Sequence, residues 1–305
     1  MAAWYFISNA VDNLIARRIA SGFAFLSREA GFEIGETTVL VYSAGDSYFR
    51  ALAVGLLNSF RVALPAIFFS SLIGGALGLA RLAPNWLLVK FAAGYVEVAR
   101  NVPLVVQLFF WYAVITESLP APADALNPLP GVFLSKRGFA VPTLAWRFPI
   151  ALDYPVMSGF DFSGGAALSP EFAALFLGLT LYTAAFIGEI VRAGILSVDR
   201  GQFEAAHCLG LSGAQVMRFI ILPQALRVVV PPVTSQYLNC AKNSSLAVAI
   251  GYPDLVAIAN TTINQTGQAI EGIAIIMLVY LSISLAISGL MNWYNAHVAL
   301  KGATR

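Results

Sequence analysis

The sequence predicts an all-α membrane protein built on five membrane segments. Of its 305 residues, 58% are hydrophobic and only 11% charged, with a mean hydropathy of +0.75, far more apolar than an ordinary soluble domain. No Asp, Glu, Lys or Arg occurs from 272 to 296 or from 172 to 188, and each run is about long enough to cross a bilayer core. Many of the remaining positive charges fall in short connections between such runs, as cytoplasmic loops require.

The same composition excludes other classes. A net charge of +2 from nearly balanced signs offers nothing to a nucleic acid. Cys208 and Cys240 are far apart in the chain and Cys240 sits in an apolar segment, so both read as structural and not as a disulfide framework. The N-terminus lacks the pattern of a signal peptide. With His207 and His297 the only histidines, a metal site has no support.

Taken in order, residues 1 to 50 mix apolar positions with Arg17, Arg18, Arg28 and several acids; they read as an extramembrane or interfacial segment. The first membrane segment runs from 51 to 80, broken only by Arg61. The second covers 87 to 115, and Asn101-Val102-Pro103 is expected to interrupt it. Residues 117 to 170 hold eight prolines in 54 positions, which reads as an extramembrane loop. The third segment spans 172 to 191. The fourth, 222 to 250, contains Pro231-Pro232 and the polar run Lys242-Asn243-Ser244-Ser245, tolerable only where protein or a water-filled path satisfies the backbone. The fifth is 272 to 291, and 300 to 305 form a short tail.

Arg81, Lys90, Arg192, Arg200, Arg218, Lys301 and Arg305 fall on one side after five crossings, which places the N-terminus outside and the C-terminus in the cytoplasm. The loop 117 to 170 is then periplasmic. Its Lys136, Arg137 and Arg147 run against the rule, which long loops escape.

The connection from 192 to 221 is the most specific stretch. It carries Asp199, Gln202, Glu204-Ala205-Ala206, Gly210, Ser212, Gln215 and Leu222-Pro223. Asp199 with Gln202 suits the start of a short helix, Gly210 a left-handed stop, and Ser212 with Gln215 a capping box for a second helix. Ala205 and Ala206 leave a small surface for close approach by another protein. The plainer alternative is an amphipathic connector that docks nothing.

These residues resemble the cytoplasmic loop of the inner-membrane subunits of ABC importers, with Glu-Ala-Ala, a Gly four residues after the second Ala, and Ile220-x-Leu222-Pro223 in register. The resemblance covers most of 51 to 299, the transmembrane permease domain, and narrows to polar amino acid importers through the stretches Glu97 to Gln107, Ile187 to Gly194 and Lys242 to Gly251. The stretches Ala16 to Phe23 and Asn264 to Glu271 are similar to general L-amino-acid permeases. Such relatives carry a further helix ahead of the position of Met1 and a further pair where 117 to 170 stand here.

The resemblance implies the five-helix core of an ABC importer transmembrane domain, with a coupling helix that sits in a groove of a separate ATPase. Glu204, Ala205, Ala206, Gly210, Leu222 and Pro223 would carry that coupling. It implies ATP-binding subunits, a second permease chain, a periplasmic amino-acid-binding protein and a bacterial inner membrane as surroundings. No Gly-Lys-Ser/Thr exists in the chain, so ATP is used by the partner and this chain needs no cofactor of its own. An ion-driven secondary amino-acid transporter is the alternative, but no internal repeat supports it. The sequence has no His-Glu-x-x-His and no Gly-x-Ser-x-Gly, so a membrane enzyme with catalytic residues is not expected.

Arg61 lies about ten residues, hence about 15 Å, inside the first segment, where a charge is costly. It is either a binding point for the substrate carboxylate, or an ion pair, or a sign that the helix boundary lies elsewhere. Lys242 and Asn243, beside the bent part of the fourth segment, are expected to border the translocation path. Glu97 with Arg100, and Glu189 with Arg192, stand three apart and are expected to pair along their helices.

Overall fold

The computed structural model describes Tyr5, Asn9 and residues 21–145, 151–159 and 161–298. The tail 300 to 305 with its Lys301 and Arg305, Arg147, and Arg17 with Arg18 lie outside the described residues. Among those described, four helices are long and apolar enough to cross a membrane, and a bent pair makes five if it counts as one span.

The first helix, α1 (Tyr48–Ala80), begins earlier than expected because the Ser47 hydroxyl caps it by accepting from the Arg50 N–H. Its 33 residues are about 50 Å long, more than the hydrocarbon thickness needs. The second segment is broken where expected. The pair α2 (Trp86–Asn101) and α3 (Leu104–Ala113) meets at a bend of 105°. Pro103 supplies no N–H there, and the Gln107 amide donates to the freed carbonyls of Ala99 and Val102 at 2.8 and 2.9 Å.

The stretch 117 to 170, expected as a loop, holds antiparallel strands. They are β1 (Leu126–Leu129), β2 (Val132–Ser135), β3 (Gly138–Val141), β4 (Thr143–Ala145), β5 (Ala151–Asp153), β6 (Val156–Ser158), β7 (Asp161–Ser163) and β8 (Ala166–Leu168). The order β1-β2-β3-β8 forms one sheet, with β4-β5 and β6-β7 as separate hairpins. Proline density hid them, since each strand is only three or four residues long and prolines such as Pro130 and Pro142 stand in the turns between them. The Phe133 and Phe162 rings stack at 4.8 Å across the hairpins.

Ser169 and Pro170 start α4 (Pro170–Leu196), which lies against α1 along its length. Gly74 and Gly78 permit this approach. A Cβ at either would stand 2.9 Å from a carbonyl oxygen of α4, that of Ala184 or Gly188, the close small-residue packing that membrane helices use. A short helix, α5 (Arg200–Cys208), and one further helical turn (Gly213–Val216) lead into α6 (Leu222–Asn243).

The α6 helix runs through Pro231 and Pro232 without a break in its assignment, and the polar run after it tightens into a 3-10 helix (Ser244–Ile250) ended by Gly251 at φ +80°. The bend expected in this segment is thus a change of helix type after Asn243. An unexpected helix, α7 (Leu255–Thr266), follows, capped by Asp254. It runs antiparallel to α1, with Gly55 against Asp254 and Ile258 at one end and the Tyr48 hydroxyl donating to Gln265 at the other. The last helix, α8 (Ala269–Val298), starts three residues before the expected boundary.

Residues 21–47 form a strap over the end of the bundle where α1 begins. Phe25, Ile34 and Tyr42 bury their side chains with Leu52, Leu255 and Ile258. The Gly22 N–H donates to Glu271 of α8 at 2.5 Å. This part of the expected extramembrane segment therefore belongs to the packed core.

Candidate functional site

The elbow from 197 to 223 is built by local chemistry. Asp199 Oδ1 accepts from the Gly201 N–H at 2.6 Å and starts α5. Gly210 ends it at φ +77°, with its N–H on His207 O at 2.9 Å and the Leu211 N–H on Ala206 O at 3.2 Å, a Schellman turn. The Ser212 N–H then donates to Gln215 Oε1 at 2.8 Å, the expected capping box.

Pro223 has a local reason as well. It cannot donate to Phe219 O, and the chain ahead of it widens into a π turn, Met217–Ile221, in which the Leu222 N–H reaches Met217 O. The Gln224 amide donates to Ile220 O at 3.0 Å.

The elbow divides the predicted coupling residues. Ala206 is buried against Val216 and Ile221, so only Ala205 of the two alanines offers the small outer surface expected of both. Glu204, Ala205, Gly210, Leu222 and Pro223 are exposed, and His207 is a surface residue as expected, its Nδ1 2.9 Å from Phe203 O. Sequence reasoning missed Phe203 and Leu209, which are 46% and 82% exposed.

The elbow packs on the end of α4, where Ile195 lies against Ala206, Val216 and Ile221, and the spanning helices that flank it are joined to one another. Gly194 of α4 meets α6, where a Cβ would stand 2.3 Å from Val229 Cγ2. Arg192 Nη2 holds Glu189 Oε1 at 2.6 Å, the expected pair, and Arg81 at the end of α1 makes a short bond to Glu189 Oε2 that the sequence did not suggest. Glu97 and Arg100 are not bridged. Arg100 instead sits 5.1 Å from the Phe186 ring centroid, which draws its guanidinium away from Glu97.

At the other end of α4, Arg61 Nη1 bonds Glu36 Oε2 of the strap at 2.5 Å, with side chains 14% and 12% exposed, and its Cζ lies 4.7 Å from the Phe172 ring centroid. An ion pair, one of the three sequence readings, is therefore present, and so is the displaced boundary: α1 begins at Tyr48, and Arg61 lies level with the first turn of α4 and not at mid-span. Along α6, Ser235, Asn239 and Lys242 are exposed at helical spacing with Pro231 and Pro232, while Asn243 is half-buried. A lysine cannot face lipid in the middle of an apolar span without large cost.

A family model described as binding-protein-dependent transport system inner membrane component matches residues 66–300. The chain belongs to that family. It is a transport subunit and an integral membrane protein, and it is not itself an enzyme. Over 98% of this chain and 91% of the relative it is 44% identical to YhdX of Escherichia coli (strain K12), provisionally named an amino-acid ABC transporter permease. It is 40% identical to the general L-amino acid transport system permease protein AapQ of Rhizobium johnstonii, over 97% of this chain and 88% of that one. A crystal structure of an amino acid ABC transporter with histidines is 25% identical, with a TM-score of 0.59 over 82% of the permease and 95% of that chain.

Proposed function

We propose that this permease forms the substrate path of an ATP-driven importer of L-amino acids in a bacterial inner membrane, and that α5 docks in a separate ATPase. The observation that carries the coupling role is the elbow itself: a capped helix with Glu204, Ala205, Phe203 and Leu209 outward, packed through Ala206, Val216 and Ile221 against Ile195 at the end of α4. The names of YhdX and AapQ support amino acids as the cargo. A periplasmic binding protein delivers the substrate, a reading that the family's binding-protein-dependent description supports. Membership of that family leaves the ion-gradient alternative without support.

A second permease chain covers the exposed polar face of α6, so that Ser235, Asn239, Lys242 and Asn243 border a path between the two and not lipid. Arg61, held over Phe172, is the cationic point for the substrate carboxylate. The stretch 51 to 299 is the transmembrane domain, with 117 to 170 periplasmic and 192 to 221 cytoplasmic. The test is reconstitution of the permease with its ATPase and binding protein in proteoliposomes. Uptake of radiolabelled L-amino acids should require ATP and loaded binding protein; uptake driven by an ion gradient without ATP would refute the reading.

A further inference from the structure

The Glu36 carboxylate reaches Arg61 from outside the membrane helices. It stands on the strap, in a stretch between Arg28 and Ser43 without regular secondary structure. Its main chain is nevertheless fixed: the Asn58 amide donates to Glu36 O at 2.9 Å and to Pro253 O at 3.0 Å. The Tyr42 hydroxyl donates to Phe32 O at 2.9 Å, and Ile34 is buried between these anchors. With the main chain held, release of the guanidinium would have to come from rotation of the Glu36 side chain. Glu36 also lines an open cleft of about 520 Å³ shared with Glu33, Ser169, Glu171, Pro253 and Thr261, a volume that accommodates an amino acid.

We propose that Glu36 is a tethered stand-in for the substrate carboxylate, a latch that occupies Arg61 when the path is empty and swings into the cleft when substrate takes its place. This rests on the reading of Arg61 as the carboxylate point. The physical reason is that a guanidinium only 14% exposed, enclosed by Glu36 and Phe172, is costly without a counter-charge. Substrate exchange swaps one carboxylate for another, so the site is never left unpaired. A latch also lowers apparent affinity by the fraction of time it leaves the site open, about tenfold if it is closed nine-tenths of the time.

The test uses the assembled transporter in proteoliposomes, with a mixture of radiolabelled L-amino acids presented on the binding protein, at equal amounts of co-purified complex. Glu36→Gln should lower the half-saturating concentration for uptake several-fold, and Glu36→Asp, whose carboxylate is one methylene shorter, should move it in the same direction. Arg61→Ala should lose uptake. If Arg61→Ala loses uptake and both Glu36 variants keep the parent half-saturation, the latch is wrong and the Arg61 site stands. If Arg61→Ala transports as the parent does, the Arg61 site itself is wrong. If Glu36→Gln loses uptake, or fails to assemble, and the exchange Glu36→Arg with Arg61→Glu restores it, the pair is a structural strut and both readings fall.

Discussion

Gly210→Val isolates the elbow from the rest of the molecule. No heavy atom lies within 4 Å of a Cβ built at Gly210, so valine meets no clash with a neighbour. Its cost is the backbone at φ +77°, about 1 to 3 kcal/mol for a side chain held in that region. A folded domain commonly has about 5 to 15 kcal/mol to spare, so the permease should still insert and accumulate. The strain relaxes by loosening the bonds from Gly210 to His207 and from Leu211 to Ala206, which re-aims α5. Valine should therefore impair ATPase co-purification and its stimulation by loaded binding protein by about tenfold, the equivalent of about 1.4 kcal/mol. Gly210→Asn should be far milder, because asparagine tolerates the left-handed region. If valine couples as well as glycine, α5 is an ordinary connector and the assignment of the elbow fails.

Glu204→Lys should weaken ATPase co-purification several-fold, with a deficit that changes with ionic strength, since it reverses an exposed charge at the proposed contact; equal retention of the ATPase at low and high salt would argue against docking there. Gly74→Val should reduce the melting temperature and yield of the purified permease by forcing α1 from α4, an overpacking cost of about 1 to 3 kcal/mol, and an unchanged melting curve would contradict the close crossing. Gln107→Leu leaves the carbonyls of Ala99 and Val102 without their donor, at about 1 to 3 kcal/mol each where water cannot reach them; thermal unfolding in detergent should shift downward.

Much of this arrangement was legible in the residues because its causes are local. The bend at Pro103, the stop at Gly210 and the box of Ser212 with Gln215 each follow from what one side chain or one missing N–H does to its neighbours. The short strands between Leu126 and Leu168 were not legible, since three-residue alternations carry almost no periodic signal. Helix α7 escaped because Asn260, Thr261, Thr262, Asn264 and Gln265 make it polar for a membrane segment, and only its packing against α1 and the strap explains it. The pairs Arg61 with Glu36 and Arg81 with Glu189 join residues 25 and 108 positions apart, a distance across which no pattern in one sequence points to a partner.

Those two pairs mark the ends of one rigid body. Phe172, under Arg61, and Glu189, bound to Arg81, stand on the same helix, α4, and 17 residues of helix separate them by about 25 Å. Between them α4 is pressed to α1 at Gly74 and Gly78, where a side chain has no room to let the helices slide apart. An elbow displaced at α5 bears on the end of α4 through the packing of Ala206, Val216 and Ile221 against Ile195. Because α1 and α4 are closely packed along their shared face, the expected outcome of such a displacement is a tilt of the pair as a unit, shifting Phe172 and Arg61 together relative to α6. The strap crosses that moving end and carries Glu36 on a backbone held by Asn58 of α1. The proposed latch therefore travels with the guanidinium it closes, and its opening depends on competition from a carboxylate, not on the tilt itself.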